Sequence, residues 1–167
     1  KLQREDNSWW ESTDFYHLID LNSPGTLSWR FTKLPVGKYK AMQFMLGVDS
    51  ARTVNGPHNG DLDHGNGMFW NATDGFIMIK AEGFAPYPTG AAFQYHLGGF
   101  QGPDKVGMVK NVVFPDTKLL NVTGTNTPKV VMLTNTGRLF HNYGSVSNGN
   151  VTGPGASAAQ MAFDFYD

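Results

Sequence analysis

The chain contains no cysteine. Disulfide staples, thiolate zinc sites and a cysteine nucleophile are therefore excluded, although this absence assigns no compartment. An excess of one charge is missing too: 13 Lys and Arg stand against 14 Asp and Glu, a net charge of −1. Such a surface offers no basic field to nucleic acid or anionic lipid. No apolar run approaches the roughly 20 residues of a membrane-spanning helix. The sequence also has no G-x-S-x-G elbow, no H-E-x-x-H pair and no G-x-G-x-x-G or G-K-[ST] phosphate loop. Asp61 and Asp63 are the most suggestive carboxylate pair, but two carboxylates on one short segment are weak grounds for acid–base chemistry. These absences argue against an enzyme.

What is present points to β structure. Gly at 20, Pro at 9, 13% aromatic and 16% charged residues describe a turn-rich sheet protein better than a helical bundle. A length of 167 residues suits one domain, Lys1 to Asp167, with its own core. The start at Lys1, without Met or a signal-peptide pattern, reads as a processed protein or an excised piece.

Period-two alternation predicts a hairpin of Asp14–Leu21 and Leu27–Thr32 around the Ser23-Pro24-Gly25 turn. It predicts further strands at Lys38–Val48, Phe76–Glu82, Ala92–Leu97, Val106–Phe114 and Lys129–Asn135, each bounded by Gly, Pro, Asn or Asp. Helices are expected at Asp49–Val54, with Asp49 as N-cap, and at Ala156–Tyr166. Residues 142–157, rich in Gly, Ser and Asn, read as a mobile loop. The expected fold is an all-β antiparallel β-sandwich with Greek-key connections, long Gly-rich loops and a short C-terminal helix.

The segment His58–Trp70 packs two imidazoles, two carboxylates, a thioether and an indole between glycines. Asp61, Asp63 and Asn66 are hard oxygen donors, but the spacing departs from an EF-hand because Gly65 stands where its third ligand belongs. A calcium-stabilised structural domain is one reading. Imidazole suits copper or zinc and thioether selects Cu(I), so His64 and Met68 support a soft-metal reading. His96 alternates with the apolar Phe93, Tyr95 and Leu97 and is free to point into a site. His17 and Trp29 share apolar strand faces and read as core, as does Met42, whereas His58 and His141 read as surface residues. Trp9 and Trp10, at a polar hairpin tip, support a third reading, a surface module for glycan or protein.

The ordered segments Tyr16–Leu21, Gly47–Arg52, Asp61–Trp70, Lys80–Gly83 and Tyr95–Gly99 resemble the MbnP-like family. The Asn-Gly-Met-Phe-Trp run and the upstream Gly-Val-Asp-Ser carry the resemblance most specifically. It implies a secreted or periplasmic, often lipid-anchored, copper-binding protein partnered with a MauG-type dihaem peroxidase. It further implies a Cu(I) site of the MopE and CorA type, in which histidines are joined by a tryptophan oxidised to kynurenine. Carried onto this sequence, the ligands are His64, His96 and Trp70, with Met68 nearby. The family pattern continues W-x-W-N where this chain reads Trp70-Asn71-Ala72-Thr73. The resemblance also implies further strand before Lys1-Leu2 and a histidine-containing tail after Phe165-Tyr166-Asp167.

Overall fold

The computed structural model describes residues 1–13, 15–85, 91–115, 118–141 and 150–166. Its regular secondary structure is mostly strand, in two sheets, with few helices and a short helix at the C-terminal end, which is the expected class. The chain divides into two compact units, residues 1–44 with 109–133 and residues 45–108 with 134–167.

In the first unit β1 (Leu2–Arg4) pairs antiparallel with β2 (Trp9–Trp10) and with the long β3 (Gly37–Leu46). The sheet continues from β3 to β7 (Met108–Val113), and β8 (Leu120–Val122) also pairs with β3. Leu2, Tyr39, Met42 and Phe114 form its buried core, so Met42 packs as its alternation suggested. Trp10 folds onto this core and meets Phe31 edge-on at 5.9 Å.

The predicted hairpin of residues 14–32 does not form strands. Asp14 lies outside the described residues, and residues 15–21 and 28–32 have no strand. Side chains take the place of the ladder: Thr26 Oγ1 accepts from the Asp20 amide at 2.9 Å and donates to main-chain oxygens of Asp20 and Ser23. The Asp20 carboxylate accepts from the Asn22 amide and the Ser23 hydroxyl. Such local side-chain-to-backbone bonds compete with sheet pairing, and Pro24–Leu27 closes as a 3-10 turn. The two limbs still meet where His17 stacks on Trp29 at 4.7 Å, but Trp29 is 37% exposed rather than core.

The predicted strand at Lys129–Asn135 is likewise missing, with Leu133 95% exposed. Val130-Val131-Met132-Leu133 is a continuous apolar run without two-residue alternation, and β propensity without a pairing neighbour does not make a strand.

The second unit holds the sheet β4 (Phe69–Asn71), β5 (Gly75–Ala85), β6 (Ala91–Gly98) and β9 (Asn150–Val151), in that order. The β6–β9 pair is parallel, whereas β4–β5 and β5–β6 are antiparallel. β9 also places two residues of the predicted loop in the sheet, while 142–149 lie outside the described residues. One face of β6 presents Tyr95 and Leu97 opposite Ala81 and Ile79 of β5. These residues pack against α2 (Ala156–Tyr166), whose buried Ala158, Met161, Ala162 and Tyr166 recur at helical spacing. Opposite faces alternate along a strand, so Gln94, His96 and Gly98 point the other way, with Lys80 opposite His96 and Glu82 opposite Gln94. α1 (Ser50–Asn55) begins where expected, because the Asp49 carboxylate caps it by accepting the Arg52 amide at 2.9 Å. No described helix is long and apolar enough to cross a membrane.

Candidate metal centre

The Gly-rich loop between α1 and β4 is folded by its own polar groups. Asp63 Oδ1 accepts the Gly65 amide at 2.7 Å and caps the turn His64–Asn66, and Asn66 Nδ2 donates to Gly60 O at 3.0 Å. Two of the three calcium candidates are thus spent on building the loop, and the third, Asp61, is exposed on the turn Gly60–Leu62. Among the described residues no three His, Asp or Glu side chains converge as a metal cluster.

What this folding does bring together is His58 and His64. His58 Nδ1 lies 2.7 Å from His64 Nε2, and His58 Nε2 lies 2.9 Å from the carbonyl oxygen of Arg52. A carbonyl only accepts, so Nε2 of His58 carries the proton and, in the neutral ring, Nδ1 holds a lone pair. His64 must then donate from Nε2. His64 also stacks on Phe69 with centroids 3.7 Å apart and planes 4° from parallel. Phe76, buried in the sheet, meets His58 edge-on at 4.9 Å. Against the surface position expected from its sequence context, His58 is half-buried and is the hydrogen-bond partner of His64. Its distance of six residues across a loop hides the pairing, although the enclosing Gly56 and Gly67, both at positive φ, signal a chain that doubles back.

His96 sits elsewhere, on the outer face of β5 and β6. Its Nε2 donates to Glu82 Oε1 at 2.7 Å, and Lys80 Nζ stands 4.0 Å from the same oxygen. The hydrogen bond from His96, aided by the Lys80 charge, holds the Glu82 carboxyl below its ordinary value. A carboxylate with a depressed folded value stabilises at neutral pH, and this contribution is lost as pH falls through that folded value, below 4.5. We expect His96→Ala to return the Glu82 pKa upward toward the ordinary carboxylate range, read by carboxyl-carbon NMR titration. No upward movement would contradict the assigned cause.

Trp70 lies against β6, the strand that carries His96. A Cβ built on Gly98 would lie 2.6 Å from Cζ3 of Trp70, so the indole covers Gly98, two residues from His96 on the same strand face. Met68 is half-buried in the turn entering β4, its carbonyl accepting the Ile77 amide at 2.9 Å. The candidates therefore divide: His64 pairs with His58, while His96 and Trp70 share the outer sheet face. Of the two tryptophans expected at a tip, Trp10 is folded back and Trp9 is exposed.

No curated protein and no solved structure matches the chain. The MbnP family profile matches residues 1–156, nearly the whole sequence, including the loop, both imidazole positions and the Trp70 face. The chain belongs to the MbnP family.

Proposed function

We propose that this protein binds copper outside the cytoplasm, without catalysis of its own, and that His58 and His64 are its seat. The observation that supports this reading is the imidazole pair. Neutral imidazoles are ordinary copper ligands, and a ligating histidine usually donates its other ring N–H to a carbonyl or carboxylate. His58 has this arrangement through Arg52 O, which aims the Nδ1 lone pair at His64. Two nitrogens 2.7 Å apart share a proton; parted by about 1 Å they span an ion held about 2.0 Å from each. The exposed His64 is the ring able to move, since it rides on a short turn ended by Gly67.

Copper, when bound, would add an electron-rich, thiophilic centre to which Met68 could contribute sulfur. Family membership also supports a MauG-type dihaem peroxidase as partner and Trp70 as the residue that it oxidises to kynurenine. Oxidation would open the indole into an aromatic amine and a carbonyl, donors that tryptophan lacks. The placement of Trp70 against Gly98, on the strand that carries His96, supports such a modification on that face of the sheet.

Metal analysis with peptide mass spectrometry on protein from its native host tests the proposal. One copper per chain, and a kynurenine mass at Trp70, are the expected results. Protein without copper, even after incubation with Cu(I), would overturn the copper assignment, whereas copper with intact Trp70 would remove only the modification.

A further inference from the structure

The sequence holds four Asn-Gly pairs, three of them in the thirteen positions from Asn55 to Gly67. Glycine has no Cβ to hinder approach to its amide nitrogen, so each pair is chemically able to cyclise and lose the asparagine amide. The structure distinguishes the three. Asn55 ends α1, and the amide of Gly56 donates to Arg52 O at 3.0 Å. Asn66 lies in the turn that follows His64; the amide of Gly67 donates to His64 O at 3.1 Å, and its own side chain is tied to Gly60 O. Asn59 differs on each count. It is exposed and extended, at φ −138° and ψ 170°, and its side chain makes no capping bond. Among the described residues the amide of Gly60 donates to nothing, and Gly60 stands at φ +59°.

We propose that Asn59 is a site of spontaneous deamidation, which places a carboxylate on the residue that follows His58. In the first step the Gly60 amide gives its proton to hydroxide and its nitrogen attacks Cγ of Asn59. The new N–Cγ bond closes a five-membered imide as the Cγ–Nδ2 bond breaks, and ammonia leaves with a proton from water. Water then adds at Cγ, breaking the new N–Cγ bond to give aspartate, or at the main-chain carbonyl carbon, breaking its bond to the Gly60 nitrogen to give isoaspartate, in which the chain runs through Cβ; in either case the nitrogen regains a proton from water. Water enters, ammonia departs, and nothing is oxidised or reduced. With its amide unbonded, Gly60 is free to turn about the Asn59 ψ bond into the ring-closing geometry, a rotation that the bonded amides of Gly56 and Gly67 resist.

This modification changes the loop in two ways. It adds one negative charge and a hard oxygen donor at the position after His58 in the chain, and the isoaspartyl product lengthens the main chain by one carbon within the six-residue span from His58 to His64. Both act on a pair whose ring nitrogens must meet, so the loop carries a chemical clock independent of whether it holds metal.

The full chain is incubated at mildly alkaline pH, folded or unfolded in urea, and the digested loop peptide is sequenced by electron-transfer fragmentation, which separates aspartate from isoaspartate. In the folded chain we expect Asn59 to convert severalfold faster than Asn55 and Asn66, and in urea the three to convert at comparable rates. Asn59→Gln should leave the folded loop peptide essentially amidated over the same interval. Conversion led by Asn55 or Asn66 in the folded chain, or a folded Asn59 that stays amidated while its urea counterpart converts, would overturn the proposal.

Discussion

The double variant His58→Ala, His64→Ala is expected to lose stoichiometric Cu(I) binding altogether, while His96→Ala keeps it. The expectation follows from how each imidazole is held. His58 has its Nε2 proton committed to Arg52 O and its Nδ1 directed at Nε2 of His64, so the two rings already share one small volume. His96 has its Nε2 committed to Glu82, and the stacked Phe69 belongs to His64. Removing only His58 should cost at least the 10–100-fold in affinity seen when an outer-shell partner of a metal ligand is lost, on the order of 1.4–2.8 kcal/mol. His64→Ala should act similarly and also free the Phe69 ring, a stacking loss of about 0.5–1.5 kcal/mol in stability. Competition against a Cu(I) chelator of known affinity measures the first effect and thermal unfolding the second. Copper retained by the double variant but lost by His96→Ala would move the seat to the outer sheet face beside Trp70.

The contrast between His58 and His64 shows which parts of the site are legible in a sequence. His64 stands out because it lies among other donors, and Trp70 because it closes the same loop. His58 escapes notice because its value as a partner depends on a carbonyl in α1 and on a loop that doubles back, neither of which is written in residue type. Trp70 reaches the strand of His96 for a similar reason: it lies against Gly98, a residue with no side chain to advertise the approach. Elements dictated by local chemistry are the readable ones. The Asp49 cap sets the start of α1, helical spacing of apolar residues sets α2 at Ala156–Tyr166, and β-rich runs bounded by Gly mark β3, β5 and β6, with clear two-residue alternation in β6. Strands of two or three residues, such as β1, β2, β4, β8 and β9, are too short to carry a period. The failed hairpin at residues 14–32 had the right pattern, but Asp20 and Thr26 offered the backbone nearer partners than a neighbouring strand.

Gly98→Ala is expected to unsettle the second unit and the Trp70 face together. The added methyl would collide with the main-chain oxygen of Phe76 and lie 2.6 Å and 2.9 Å from Cζ3 and Cη2 of Trp70. The carbonyl cannot retreat without breaking the register in which Ile77 pairs with Gly98, so the indole and the strand must both shift. Overpacking of this kind costs about 1–3 kcal/mol, a fall in Tm of roughly 2–12 °C at 2–4 °C per kcal/mol. Gly25→Ala provides the comparison, because nothing lies within 4 Å of its Cβ position and its φ is not positive; surface changes of that kind stay within about 0.5 kcal/mol. Displacement of Trp70 adds a second readout, a changed near-ultraviolet circular dichroism band from the one tryptophan of residues 45–108 and 134–167. Equal melting temperatures for the two variants would mean that the indole does not cover Gly98, and would separate Trp70 from His96. A lower Tm with an unchanged tryptophan band would place the cost on the β5–β6 register alone. If both readouts move, Gly98 is the position that lets one indole and one imidazole share the outer face, the arrangement on which any chemistry at Trp70 depends.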